Sequence, residues 1–276
     1  MELSDEEIHS LSVAIQKRYG VDFTCYEMKS LKRRIIRIMN INKMGSLFEL
    51  WQKVLNDASF VEEFTNNISV GLTSMFRDPE LWKFLKNYIY DYFEKKNNSQ
   101  LKVWHAGCST GEEVFSLGIV LRELGVQQKV KALASDMNSD SLKTAREGCY
   151  QIGHYEDYKS NYKVYNNFGN FDKYCQVSDN RYCMDKSLLD HVELLEHNLI
   201  TEEYPGKHDI IFCRNVMIYF DTASKLKILT KFHEMLNPNG LLIIGFFDSF
   251  IPFSKGNLFT YLDTDVRVLQ KNPEIV

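Results

Sequence analysis

The polar run Glu94-Lys95-Lys96-Asn97-Asn98-Ser99-Gln100 separates two stretches whose hydrophobic residues follow different rules. Ahead of it glycines are few, at 20, 45 and 71, and apolar residues recur at helical spacing, as in Leu31, Ile35, Ile38 and Met39. Behind it the pattern alternates. Strands are predicted over Leu101–Ala106, 130–135, 192–197, 209–213 and 241–246, with helices over Glu112–Leu124, Ser139–Glu147 and 223–236, the last stopped by Asn237-Pro238-Asn239-Gly240. Such alternation implies a mostly parallel sheet wound on both faces, closed by an antiparallel hairpin from 259–262 and 266–270. The stretch 149–190 breaks the rhythm: it is too long for an ordinary connection and too rich in tyrosine for a disordered linker, so a folded insertion is expected there. The chain therefore reads as a helical unit over 1–94 and an α/β unit over 101–276 that carries the insertion, and 276 residues are enough to give both a core.

Charge excludes little but directs attention inward. With 33 basic and 37 acidic side chains the net charge is −4, too balanced to select nucleic acid or a membrane surface as the bulk partner. The acidic start, Met1-Glu2-Leu3-Ser4-Asp5-Glu6-Glu7, leads into no sustained apolar stretch, and the run 240–247 is strand-length, so neither a secretory signal nor membrane insertion is expected. A cytoplasmic protein follows as the expectation. The six cysteines form no Cys-x-x-Cys pair and no zinc spacing, which predicts reduced thiols and no metal site.

In open parallel sheets ligands bind beyond the carboxyl ends of the strands. The richest such turn is Gly107-Cys108-Ser109-Thr110-Gly111-Glu112-Glu113, where the glycines permit close ligand approach and Ser109 with Glu112 matches a helix-capping box. Two carboxylates at a helix start oppose a pyrophosphate, and the turn lacks both the Gly-x-Gly-x-x-Gly and the Gly-Lys-Ser/Thr patterns, so a cationic ligand fits better. Asp136, at the end of the second strand, stands where an acid can accept hydrogen bonds from both hydroxyls of a ribose. A glycine turn, an acidic helix start and a strand-end acid suit a positively charged nucleoside such as S-adenosylmethionine.

These residues resemble the CheR-type protein-glutamate O-methyltransferases that modify chemotaxis receptors. Four ordered segments carry the resemblance: Leu72-Thr73-Ser74-Met75-Phe76-Arg77-Asp78-Pro79, 103–113, Ala134-Ser135-Asp136, and Ile211-Phe212-Cys213-Arg214-Asn215-Val216-Met217-Ile218-Tyr219-Phe220-Asp221. The resemblance implies a Rossmann-like class I methyltransferase domain with a helical N-terminal domain and a small inserted β-subdomain. It also implies S-adenosylmethionine as cofactor and S-adenosylhomocysteine as product. Carried over by motif, the cofactor contacts would be Gly71, Thr73, Arg77, Ala106, Gly107, Glu113, Asp136, Met137, Asn198, Leu199, Arg214 and Asn215, and the catalytic candidates Arg77, Arg214 and Tyr219. Methyl transfer to a carboxylate needs no strong base, because a glutamate of pKa about 4.3 is already ionised at neutral pH. Positioning carries the rate.

The expected partner is the cytoplasmic helical region of a chemoreceptor, met by a monomer. Between residues 17 and 43 eight basic residues (17, 18, 29, 32, 33, 34, 37, 43) face two acidic ones (22, 27), and Lys29, Arg33 and Arg37 form one helical stripe. No nucleic-acid motif accompanies the patch. Two departures from the family pattern stand out: Gly71 ahead of Leu72-Thr73, and Gly245-Phe246-Phe247-Asp248 in place of Gly-His-Ser-Glu, which is expected to reshape the substrate side of the cleft. Two other readings compete with the leading one, a cofactor-binding signalling module without turnover and a methyltransferase of a small carboxylate.

Overall fold

The computed structural model describes residues 3–68, 73–96, 99–250 and 258–273. Four helices come first, α1 (Asp5–Tyr19), α2 (Met28–Ile41), α3 (Leu47–Asn56) and α4 (Ala58–Ile68). Local chemistry sets their ends. Ser4 and Glu7 form a reciprocal capping box at the start of α1, and Gly20, at φ 76°, closes it in the left-handed conformation that glycine adopts freely. Along α2 the residues Leu31, Ile35, Ile38 and Met39 are buried as their spacing predicts, while Lys29, Arg33 and Arg37 are exposed on the other side.

Next come α5 (Pro79–Lys95), β1 (Leu101–Ala106), α6 (Glu112–Leu124), β2 (Val130–Asp136) and α7 (Ser139–Glu147). The insertion contributes β3 (Cys149–Gln151), α8 (Tyr155–Tyr165), β4 (Cys175–Val177) and β5 (Arg181–Met184), and the chain ends with β6 (Val192–Glu196), β7 (His208–Cys213), α9 (Thr222–Met235), β8 (Leu236–Ile244), β9 (Phe259–Asp263) and β10 (Val268–Lys271). The main sheet has the order β6-β2-β1-β7-β8-β10-β9. Strands β6, β2, β1, β7 and β8 pair in parallel, and β10 is antiparallel to both β8 and β9. The order reverses between β1 and β7, which makes the carboxyl ends of those strands the place for a ligand.

Several expectations need correction. The residues Asn237-Pro238-Asn239-Gly240 do not separate helix from strand: β8 starts at Leu236, directly after α9, and runs irregularly through them. Asn239, at φ 62°, absorbs the irregularity, and Asn237 donates to Asp209 on the neighbouring strand at 2.9 Å. The same strand stops at Ile244 rather than 246, where a 3-10 turn over Phe246–Phe250 begins. The insertion is not purely β; beside its three-stranded β3-β5-β4 sheet it holds α8, whose Tyr155, Tyr158, Tyr162 and Tyr165 are all buried. Finally, Cys149 and Cys183 are joined in a disulfide across β3 and β5, whereas Cys25, Cys108, Cys175 and Cys213 are free thiols.

Two large hydrophobic cores, with a small third cluster around Cys108, Val114, Ala134 and Leu142, pack the described residues. One joins the helical bundle to the sheet, so that Phe23, Phe64, Ile35 and Leu31 belong to the same buried cluster as Trp104, Ile211 and Ile244. Backbone bonds tie this seam: Glu27 donates to the Tyr219 carbonyl at 2.9 Å and Asp221 to that of Cys25 at 2.8 Å. The other core packs α5 and α6 on the opposite face of the sheet together with the tyrosines of α8, and Trp82 of α5 stacks on Phe212 of β7. Truncating such a buried tryptophan costs about 3–5 kcal/mol.

Candidate functional site

Beyond the carboxyl ends of β1, β2, β6 and β7 lies a cleft with about 1030 Å³ of space, its open mouth included. The turn after β1 forms its floor. Gly107 at φ 84°, Ser109 at φ 51° and Gly111 at φ 91° all take left-handed backbone. A Cβ at Gly107 would lie 2.5 Å from Val216, and one at Gly111 would lie 2.8 Å from Ala145, so only glycine lets the turn sit this close to its neighbours. Gly107 and Cys108 each donate to the Ser135 carbonyl at 2.8 Å, and Ser109 N–H donates to Asp136 at 2.8 Å, which pins the turn to the end of β2. The predicted capping box does not form. Gly111 is the N-cap of α6 with no side-chain cap bond, and Thr110 donates to Glu112 instead.

The two helix-start carboxylates part company. Glu112 is buried on the side of the insertion, where burial raises its carboxyl despite a bond from Thr110. Glu113 lines the cleft. Its carboxylate meets His105 Nδ1 at 2.8 Å and accepts from Arg214 Nη1 at 3.0 Å. Burial alone would raise this carboxyl, but the His105 bond and the guanidinium charge outweigh it and hold the group below its ordinary range. Glu113 therefore stays ionised at the cleft, paired with Arg214.

Asp136 also lines the cleft and accepts from Ser109 N–H and Asn138 N–H. Burial pushes its carboxyl up, with the backbone donors of Asn138, Ser109 and Met137 offsetting part of the effect. It does not cap the following helix, a task that falls to Asn138. Met137 completes this wall and receives the Tyr26 hydroxyl at its sulfur, 3.7 Å away. After β6, Asn198 and Leu199 line the cleft together with His197 and Ile200.

The segment after β7 supplies Arg214, Asn215, Val216 and Tyr219. Asn215 stands at φ 60°, and the buried Asp248 carboxylate holds it there by accepting from the N–H groups of Asn215 at 2.6 Å, Gly245 at 2.9 Å and Ile218 at 3.0 Å. Arg214 enters the cleft with its fork already engaged: Nη2 donates to Asp78 at 2.6 Å and to the Arg77 carbonyl at 3.1 Å, while Nη1 serves Glu113. The ring of Tyr219 lies under the buried Arg34 guanidinium, 4.0 Å from its centroid. Arg34 thus leaves the basic patch and joins the wall behind the cleft, and Lys32 pairs with Asp5 at 3.8 Å.

Of the sequence-predicted residues, Thr73, Arg77, Gly107, Glu113, Asp136, Met137, Asn198, Leu199, Arg214, Asn215 and Tyr219 all line this one cleft. Ala106 does not; it is buried within β1. Gly71 lies outside the described residues. Phe246 and Phe247, expected to reshape the substrate side, stand exposed beyond β8 and are not among the lining residues. Sequence reasoning missed Asp22, Tyr26 and Ser74 in the lining, and His105 and Asp78 behind it. His105 had a signal, being a polar side chain in an otherwise apolar run.

Comparison with known proteins settles the relationship. Residues 71–267 match the model of the CheR methyltransferase SAM binding domain, and residues 6–69 that of the CheR methyltransferase all-alpha domain. The chain belongs to the CheR methyltransferase family. Among the relatives, the Pseudomonas putida protein named Cher3 is 32% identical over 269 residues, covering 98% of each chain. The chemotaxis protein methyltransferase of Escherichia coli is 28% identical over 277 residues, covering 98% of this chain and 93% of its own. That of Listeria innocua is 28% identical over 231 residues, covering 84% and 85%.

The cleft fits S-adenosylmethionine, the cofactor of this CheR methyltransferase. Glu113 and Asp136 give it the anionic lining a sulfonium nucleoside needs, and Ser109 Oγ and Asn215 Oδ1 line it as buried polar atoms with no protein partner among the described residues. An unmet buried hydroxyl and amide oxygen are costly unless a ligand satisfies them.

Proposed function

We propose that this protein transfers the methyl group of S-adenosylmethionine to glutamate side chains in the cytoplasmic helical region of a chemoreceptor, leaving glutamate methyl esters and S-adenosylhomocysteine. One observation carries the reading: a single cleft at the strand ends brings together Asp136, Glu113, Arg77 and Tyr219, which are distant in the chain. Bound there, the cofactor supplies an electrophilic methyl carbon on a sulfonium. Asp136 is the acceptor for the ribose hydroxyls, and Asn198 and Leu199 flank the adenine. Glu113, kept ionised by His105 and Arg214, faces the cationic methionine end. Arg77 and Tyr219 orient the incoming carboxylate. Because that carboxylate is already ionised, the chain needs no general base, and alignment of the two reactants dominates the rate.

The exposed stripe Lys29, Arg33 and Arg37 supports an acidic helical partner, since charge complementarity steers such encounters. No described helix is long and apolar enough to cross a membrane. The test is incubation with methyl-labelled cofactor and the cytoplasmic fragment of a chemoreceptor. Label released from the fragment as methanol by mild alkali is the expected result, and alkali-stable label would contradict an ester product.

A further inference from the structure

We infer that Asp78 is a positioning residue for methyl transfer: its ion pair with Arg214 fixes the turn that carries Arg77 into the cleft. The inference rests on the functional reading above and names a residue that reading leaves without a role. Arg77 is flanked by Phe76 at φ 50° and Asp78 at φ 56°. Two non-glycine residues in left-handed backbone, one of them bulky, persist only where the surroundings over-determine them.

The surroundings do so on both sides. Upstream, Phe76 N–H donates to Ser116 Oγ at 2.9 Å, its ring stacks on Tyr165 at 4.8 Å, and Asn161 donates to the Met75 carbonyl at 3.1 Å. At Arg77 itself the carbonyl accepts from Trp82 Nε1 at 3.0 Å and from Arg214 Nη2 at 3.1 Å. Asp78 occupies the N-cap position of α5, where an aspartate ordinarily caps the helix with its side chain, yet it makes no such bond. Its carboxylate turns to Arg214 Nη2 at 2.6 Å. One guanidinium therefore holds Asp78, the Arg77 carbonyl and Glu113 together, linking the turn to the anionic wall of the cleft.

The exposures make the experiment clean. The Asp78 side chain is 54% exposed whereas that of Arg214 is 4% exposed and still paired with Glu113, so losing the Asp78 charge leaves no buried charge alone. Asp78→Asn should lower kcat about tenfold, the size expected when an orienting group loses its fixed placement, and should lower S-adenosylhomocysteine affinity by less than that. Asp78→Glu should recover most of the loss. In an Arg77→Ala background Asp78→Asn should lower kcat no further, because Asp78 acts through Arg77. Wild-type kcat in Asp78→Asn, or the same loss in both backgrounds, would overturn the inference. A readout independent of turnover separates this from the functional reading: amide hydrogen exchange at residues 76–78 should accelerate in Asp78→Asn, and unchanged exchange would also overturn it. A wild-type chain that methylates nothing would count against the proposed function alone.

Discussion

Asp136 and Glu113 are two partly buried carboxylates that line one cleft and are displaced in opposite directions. Burial raises Asp136, while His105 and Arg214 together overcome the burial of Glu113 and lower it. On acidification Asp136 takes up its proton at a higher pH than an ordinary aspartate, and in the proposed role it would then no longer accept from both ribose hydroxyls. Affinity for S-adenosylhomocysteine should weaken as pH falls, beginning above the ordinary aspartate value of 3.8, and Asp136→Asn should flatten that dependence in calorimetric titrations. Affinity of the wild type that stays constant down to pH 4 would contradict the assignment. The stability sign runs the other way. A raised carboxyl binds its proton more tightly folded than unfolded, so Asp136 and Asp248 each make stability fall as pH climbs through the interval above 3.8. Asp136, Gly107 and Glu113 were legible in the sequence because strand ends and helix starts leave local signals. Asp22, Tyr26 and Asp78 were not, because they reach the cleft only by packing of segments far apart in the chain.

At the level of single elements, the start of helix α6 packs tightly against α7, with β3 close by. Gly111 lies against Ala145 and under the hydroxyl of Tyr150, which also donates to the Thr110 carbonyl at 2.8 Å. Gly111→Ala forces a Cβ into that contact at an unfavourable φ, and should destabilise the chain by about 1–3 kcal/mol in chemical denaturation. The adjoining disulfide closes a separation of 34 residues, for which loop-closure entropy gives about 3–4 kcal/mol. Denaturation midpoints with and without reductant should differ accordingly, and coincident midpoints would show that the bond contributes nothing. The pairing was illegible in spacing because it depends on the register that sets Cys149 opposite Cys183. Helix α8 was legible but overlooked: Tyr155, Tyr158, Tyr162 and Tyr165 fall at intervals of three and four, the signature of one buried helical face. The extended β8 had no such signal, since Pro238 and Gly240 locally argue for a turn, and they sit in a register shift between the His208–Leu236 and Ile210–Leu241 pairs.

Across the whole molecule, the helical bundle and the sheet share one hydrophobic core, and the cleft takes lining from both. The alternation of strands and helices foretold the sheet. It gave no hint that Tyr26 would bridge to Phe220, which joins the bundle to the segment after β7. The basic stripe sits on the bundle, so reversing Arg33 and Arg37 to glutamate should raise KM for an acidic helical acceptor about tenfold, leave cofactor affinity unchanged, and lose its effect at high salt. Equal KM values for variant and wild type at low salt would place the acceptor elsewhere. The most direct check on the account is calorimetric titration of the purified chain with S-adenosylhomocysteine beside Asp136→Asn. One site per chain is expected, weakened about tenfold in the variant, as loss of a charge-assisted hydrogen bond requires. Absence of binding in the wild type, or equal affinity in the two proteins, would contradict it.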